Sequence, residues 1–117
     1  MAQYAHLPIY KTTYELLSAV TKKTKDFPKE FKYSLGDKIR NECVELVVFI
    51  FKANSGIDRT KHIEMIIERV QVIHLLLRLS HDLRLISVAA FSEIVALSDS
   101  IARQSQGWKG KSNARAE

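Results

Sequence analysis

The stretch IEMIIERVQVIHLLLRLSHDLRLI, residues 63–86, decides the fold of this chain. Its apolar residues recur three and four positions apart, which places them on one side of an α-helix. This first series is Ile63, Ile66, Val70, Ile73, Leu77 and Ser80. A second series beside it is Val72, Leu76, Leu79, Leu83 and Ile86. Two adjacent series make a face wider than a two-stranded coiled coil uses, so we expect this helix to pack against at least two others.

Composition narrows the class of protein. A chain of 117 residues is the size of one domain, and only 4 Gly and 2 Pro favour a few long helices over a β fold with many turns. Cys43 is the single cysteine, so an internal disulfide is excluded, which fits a reducing cytoplasm. The first residues show no signal-peptide pattern, and the longest apolar run, residues 46–51, is far shorter than the roughly 20 residues of a membrane span. We therefore expect a cytoplasmic protein without a membrane partner.

Two further helices are predicted before the central one. The first runs from about residue 8 to residue 25 and ends at the break that Pro28 imposes. Its apolar series is Leu7, Tyr10, Tyr14, Leu17, Thr21 and Thr24. The second begins near residue 28 or 29 and runs to about residue 54, and Gly36 within it marks either a close helix crossing or a local irregularity. Its buried series is Phe31, Leu35, Ile39, Cys43, Leu46, Ile50 and Ala53.

Caps and turns place the remaining elements. We expect Asp58 to cap the central helix, which ends near residue 86, and Ser87 to cap a fourth helix. The inward series of the fourth helix is Val88, Phe91, Ile94, Leu97, Ile101 and Trp108. Gly107 and Gly110 are predicted to end it, leaving residues 109–117 as a basic, disordered tail after a 1–108 domain. The pattern predicts an all-α, antiparallel, up-down-up-down four-helix bundle.

Basic residues cluster at the junction of the first two helices. They are Lys22, Lys23, Lys25, Lys29, Lys32, Lys38 and Arg40, and three acidic residues within the same stretch leave a local net charge of +4. Such a cluster is either a solvated bundle end or a surface that follows the phosphates of a nucleic acid. No arrangement of aromatic residues for base stacking accompanies it, so base-specific recognition is not predicted.

Two other basic sites have a structural alternative each. The set Arg103, Lys109, Lys111 and Arg115 is either a nucleic-acid tether or a solubilising end. Arg78 stands among leucines, four residues from both His74 and Asp82. We expect a buried or half-buried Arg78–Asp82 ion pair, and the alternative is that Arg78 faces a nucleic acid or a partner subunit.

Phe49 and Leu75 each interrupt an otherwise polar strip on one of the two middle helices. The strip around Phe49 is Lys38, Glu42, Glu45 and Lys52. A subunit interface would stabilise each apolar side chain by roughly 1.5–3 kcal/mol. We therefore expect Phe49 and Leu75 to lie between subunits, and the alternative is a rotated helix that buries them within one chain.

Catalytic and metal sites are not predicted. His74 and His81 share a helix side, but only Asp82 lies near them as a further ligand. Glu64 and Glu68 lack the histidine three residues later that di-iron bundles carry. No nucleophile with its base and no phosphate-binding glycine loop is visible, so we expect neither an enzyme nor a bound cofactor.

Several segments resemble a known family. LPIYKTTYELL (7–17), FPKEFKYSLGDKI (27–39), LLLRLSHDL (75–83) and a last helix closing on Gly107-Trp108 are similar to the Avd-like four-helix-bundle proteins. These are accessory proteins of bacterial diversity-generating retroelements, related to four-helix proteins encoded within intervening sequences of ribosomal RNA genes. The sequence departs from the family at residue 106, where Gln replaces the first glycine of a Gly-Gly-Trp ending.

The resemblance implies a homopentameric barrel with a positively charged surface, which binds nucleic acid and a reverse transcriptase. In this role the protein supports the copying of a template RNA into cDNA. Five copies of a chain with a formal charge of +5 would carry +25, a field that attracts RNA or DNA. The alternative is a structural or protein-interaction bundle without a nucleic-acid role.

Overall fold

The structure, a computed structural model, describes residues 7–116, with side chains for residues 7–113. The described residues form four long helices and one short helix. They are α1 (Pro8–Thr24), the short α2 (Lys29–Lys32), α3 (Leu35–Asn54), α4 (Arg59–Asp82) and α5 (Val88–Ala116). The bundle measures 49 × 21 × 20 Å.

The four long helices pack in the order α1, α3, α4, α5, and α5 returns to contact α1. Cross-helix hydrogen bonds fix their directions. Thr12 near the start of α1 is bonded to Gln104 near the end of α5, and Thr60 at the start of α4 is 3.1 Å from Ser112 at the end of α5. Neighbouring helices therefore run antiparallel, which confirms the predicted all-α, up-down-up-down bundle. Assembly into a ring remains a prediction.

The α4 helix supplies the centre of the core as the sequence predicts. All six residues of its first apolar series are buried. In the second series Leu79 and Leu83 are exposed, and Val72 and Leu76 are half-buried. The helix ends at Asp82, four residues before the predicted end. Ile86 instead lies in the following loop, where it packs with Phe27 and Ala90 in a small second cluster that closes this end of the bundle.

The predicted face of α1 is only partly correct, because the buried face is displaced from it. Its buried residues are Ile9, Thr13, Leu16, Val20 and Thr24. Thr13 and Thr24 can enter the core because each hydroxyl donates to the carbonyl oxygen four residues earlier, at 2.8 Å. Of the predicted series, Leu7, Tyr10 and Leu17 are half-buried against the core, whereas Tyr14 is 62% exposed. Helix α1 therefore presents apolar surface in two directions.

The predicted second helix is divided into α2 and α3. The Ser34 hydroxyl donates to the carbonyl oxygen of Glu30 at 2.6 Å, a local bond that competes with a continuous helix. Gly36 lies at a close crossing with α1, since a Cβ there would stand 3.3 Å from Cβ of Thr24. The close-crossing alternative for Gly36 is therefore correct, and the irregularity lies next to it. The series from Ile39 to Ala53 is buried as predicted.

The two predicted N-caps have different outcomes. Ser87 caps α5, because its hydroxyl accepts the backbone N–H of Ala90 at 3.1 Å. Asp58 is at the N-cap of α4, but its side chain makes no capping bond. Its backbone has φ 50°, a left-handed conformation, whereas a capping side chain works from an extended residue. On α5, Val88 is exposed, so its predicted inward position is wrong.

The last helix continues through Gly107 and Gly110, so the predicted end at these glycines is wrong. Residues 109–116 are helical, in contrast to the predicted disordered tail, and residue 117 lies outside the described residues. A glycine inside a helix costs only about 1 kcal/mol relative to alanine. Contacts of Ser112 with Thr60, and of Lys109 with Glu64 at 3.7 Å, attach the extension to α4.

Candidate nucleic-acid interface

The first basic cluster lies at one end of the bundle, as the sequence predicts. The end of α1, the whole of α2 and the start of α3 meet there, since these helices follow one another through short turns. Lys22, Lys23, Lys25 and Lys29 are exposed, and none of them makes an ion pair with a described residue. We call these four residues the lysine end. Unpaired ammonium groups remain available to an external anion.

Three other residues of the predicted cluster have partners within the chain. Lys38 forms an ion pair with Glu42 at 3.0 Å, and the Lys32 ammonium stands 5.7 Å from the centre of the Tyr33 ring. Arg40 is half-buried and donates to the Thr24 hydroxyl, to the carbonyl oxygen of Lys32 at 3.1 Å and to Asp37. Arg40 therefore joins α1, α2 and α3, and it is oriented toward the protein.

Tyr33 changes one expectation from the sequence. No exposed aromatic residue was expected in this cluster, but Tyr33 is exposed in the turn between α2 and α3. One face of its ring lies under the Lys32 ammonium, as a cation–π contact requires. The exposure arises because the helix breaks at residues 33–34, which a prediction of one continuous helix could not reveal.

The second basic set lies at the opposite end of the bundle. Arg103 and Lys111 are exposed on α5, and Lys109 is half-buried beside Glu64. Arg115 has no described side chain. The structure therefore does not join the two predicted sets into one surface. The sequence could not show this separation because it depends on the direction in which α5 returns along α1.

Arg78 does not form the expected ion pair with Asp82. It is exposed, and no ion pair with it is found among the described residues. Asp82 lies 3.6 Å from Nδ1 of His81 instead. Arg78 lies near the end of α4 that faces the lysine end. Sequence reasoning missed Arg84, which is exposed in the α4–α5 loop with φ 61°.

The two predicted interface residues differ in exposure. Leu75 is 67% exposed on α4. Phe49 is half-buried against the core, and its ring centre lies 6.4 Å from that of His62. The alternative of a rotated helix that buries Phe49 within one chain is therefore partly correct. Other exposed apolar residues were not predicted to lie at an interface. They are Tyr14 on α1, Tyr33 after α2, Val44, Val48 and Phe51 on α3, Ile57 before α4, Leu79 on α4, Leu83 after it, and Val88 on α5.

One charged residue of the predicted polar strip is buried. Glu42 is 4% exposed and accepts hydrogen bonds from Arg69 of α4, the shorter at 3.1 Å. Next to it, burial and the negative charge of Glu42 raise the pKa of Cys43 to about 12. This thiol is therefore protonated at neutral pH, and the thiolate that nucleophilic chemistry needs is absent.

The histidines contact their neighbours without forming a metal site. Nδ1 of His74 lies 3.8 Å from Asp99, and His81 stacks on Phe91 with ring centres 4.9 Å apart. Among the described residues no three His, Cys, Asp or Glu side chains are grouped to hold a metal ion. Within the same part of the chain, no helix is long and apolar enough to cross a membrane.

The antiparallel packing of the four long helices defines an all-α four-helix-bundle protein, and one end of this bundle is cationic. The model of a family described as bAvd-like matches residues 7–112, and the chain belongs to this family. This confirms the resemblance seen in the sequence. Proteins of the Avd-like family are accessory proteins without catalytic activity. A comparison with curated proteins finds no match.

Proposed function

We propose that this protein is a non-enzymatic, nucleic-acid-binding adaptor, which holds template RNA or cDNA and a reverse transcriptase together as in diversity-generating retroelements. Membership of the bAvd-like family supports this role. The observation that carries the nucleic-acid part is the lysine end, where four exposed ammonium groups have no acidic partner among the described residues. Such groups displace condensed counterions from phosphates.

We also propose that the chain assembles into a ring, with five subunits as the family resemblance implies. The exposed apolar residues support assembly because they lie on different helices of the bundle. Tyr14 is on α1 and Val44 and Phe51 are on α3, whereas Leu79 is on α4 and Leu83 directly follows it. Two different surfaces on one chain suit a head-to-tail contact, which closes into a ring when the rotation permits.

Assembly multiplies the charge that a nucleic acid meets. One chain has a formal charge of +5, which attracts a polyanion weakly. A ring places several lysine ends along one strand of RNA, so that many weak phosphate contacts act together. Binding should then be independent of sequence and should weaken steeply with salt.

The salt dependence of RNA binding tests the nucleic-acid role. Each phosphate contact contributes about 0.7–0.9 to the slope of log Kd against log salt. We expect Lys25→Gln with Lys29→Gln to lower the slope by at least about 1.4, because two phosphate contacts are lost from every chain. The matched control is Lys52→Gln with Lys61→Gln, two exposed lysines at the other end of α3 and α4. Fluorescence anisotropy of a labelled RNA duplex gives each Kd.

A second candidate function is a protein-interaction bundle without nucleic acid, and the exposed apolar surfaces favour it. The same titration separates the two. Absence of binding to RNA at low salt, with the protein folded, would contradict the adaptor and favour the interaction bundle. The retroelement role also predicts a reverse-transcriptase gene and a variable repeat beside this gene.

A further inference from the structure

An apolar pocket lies at the end of the bundle opposite the lysine end. The start of α1 and the last turns of α5 border an open pocket of about 500 Å³. Leu7 and Pro8 form one wall, Trp108 forms another, and Gly107 leaves an opening because it has no side chain. Pockets of about 300–1,000 Å³ with apolar walls and few polar groups are typical of ligand sites.

The few polar groups of the pocket have a definite arrangement. The amide nitrogen of Gln104 donates to the hydroxyls of Thr12 and Ser100, each at 3.0 Å. These bonds use both N–H groups of the amide, and no partner of its carbonyl oxygen is found among the described residues. Lys111 lies exposed on the rim, and its ammonium makes no ion pair with a described residue. The pocket therefore combines an aromatic ring, a hydrogen-bond acceptor and a positive charge.

We propose that this pocket takes an unstacked base of a single-stranded nucleic acid, with the base against Trp108 and the adjoining phosphate near Lys111. The proposal rests on the proposed nucleic-acid function and names the form of nucleic acid that this second site selects. A base is a flat ring with polar edges, so its faces pack against the apolar walls of the pocket. An exocyclic amine at its edge donates a hydrogen bond to the carbonyl oxygen of Gln104. A duplex keeps its bases stacked and cannot offer one.

The pocket differs from the lysine end in what it can distinguish. The lysine end presents ammonium groups, which bind the phosphates of single and double strands alike. Binding in the pocket requires a base that is not stacked within a duplex. The lysine end therefore attracts any nucleic acid, and the pocket at the other end of the 49 Å bundle selects single strands.

Trp108 provides a direct test, because it is the single tryptophan of the chain. A single-stranded RNA octanucleotide should quench its fluorescence, and an RNA duplex of the same length should leave it unchanged. Anisotropy of the same labelled RNAs reports total binding independently. We expect the unmodified full-length protein to bind the single strand at least about fivefold more tightly than a variant whose pocket is blocked. This factor is the effect of one base that stacks on an aromatic ring.

Two glycine variants block the pocket with a matched control. Gly107→Leu fills the opening, and no atom lies within 4 Å of the Cβ it adds, so the helix remains intact. Gly110→Leu adds the same side chain to the same helix, also in open space and outside the pocket lining. Gly107→Leu should abolish the quenching and the single-strand preference, and Gly110→Leu should retain both.

The outcomes separate the pocket from the function it rests on. Unchanged Trp108 emission with a single strand that anisotropy shows to be bound would overturn the base pocket and leave the adaptor function standing. This is also the result expected if a protein partner occupied the pocket. No binding of either RNA would overturn both. Equal loss of quenching in Gly107→Leu and Gly110→Leu would likewise contradict the pocket.

Discussion

Three arginines with similar surroundings in the sequence have different roles in the folded chain. Arg40 joins three helices, Arg69 neutralises a buried carboxylate, and Arg78 extends into solvent. A helical pattern fixes which residues share a side of one helix, but it does not give the position of the neighbouring helix. The Arg78–Asp82 pair was therefore a reasonable expectation from spacing, and the Arg69–Glu42 pair could not be found because its partners are on different helices.

The buried Arg69–Glu42 pair predicts a stability effect. Arg69→Met should lower the free energy of unfolding by about 1–3 kcal/mol. This is less than the about 3–5 kcal/mol of a fully buried pair, because Arg69 is 24% exposed and Lys38 still pairs with Glu42 at 3.0 Å. Urea denaturation measures the change. The control is Glu68→Gln, which removes the exposed partner of Arg69 and should cost under about 1 kcal/mol. Equal effects of the two variants would contradict the role of Glu42.

Cys43 predicts a dependence of stability on alkaline pH. The unfolded thiol ionises near its ordinary pKa of 9.0, whereas burial holds the folded pKa at about 12. Between these values the unfolded state binds fewer protons, so the free energy of unfolding is full below pH 9 and falls as pH rises toward 12. From pH 8 to pH 10 the native protein should lose about 1 kcal/mol more than Cys43→Ala. Parallel pH curves for both would contradict the burial of the thiol.

At the scale of the element, apolar periodicity predicted the existence of every long helix, but not each buried face. The predicted buried face of α4 is correct, because one series of apolar residues at helical spacing stands out from the polar residues of this helix. The buried face of α1 is displaced from the predicted one, and Thr13, which was not predicted in the core, is buried with its hydroxyl bonded to its own helix. The glycines of α5 were read as a helix end, although contacts with α4 hold the extension. Tertiary contacts decided both cases.

Two helical glycines give opposite predictions. Gly36→Ala should lower the free energy of unfolding by about 1–2 kcal/mol, because the added Cβ meets Cβ of Thr24 at 3.3 Å and the backbone oxygen of Phe31 at 3.4 Å. Gly110→Ala should raise it by up to about 1 kcal/mol, since the site is open and alanine favours a helix. Thermal denaturation of both variants checks the signs, and a stabilising Gly36→Ala would refute the close crossing.

At the scale of the whole molecule, the sequence predicted the lysine end because its residues are near one another in the chain. It could not predict that the second basic set lies at the other end, or that a pocket forms beside it. Both depend on α5 returning along α1, so that residues 7 and 108 become neighbours. Sites assembled from distant residues need the fold.

The exposed leucines of α4 predict the effect of charge on assembly. Leu75→Glu with Leu79→Glu should leave the helices intact, as measured by circular dichroism, because both side chains are exposed in one chain. The double variant should nevertheless form a smaller particle, since carboxylates would be buried at a subunit contact. The control is Ser92→Glu with Ala96→Glu, two exposed residues at the same spacing on α5, which should assemble normally. An unchanged mass for the leucine variant would exclude this face of α4 from the contact.

The adaptor depends most on several chains acting as one charged particle, and the molar mass in solution tests this directly. One chain has a mass of 13.4 kDa. Light scattering of the purified protein should give at least twice that value, and a ring of five predicts five times that value. A mass of one chain across the accessible concentrations would contradict the pooled charge, although the four-helix bundle itself would stand.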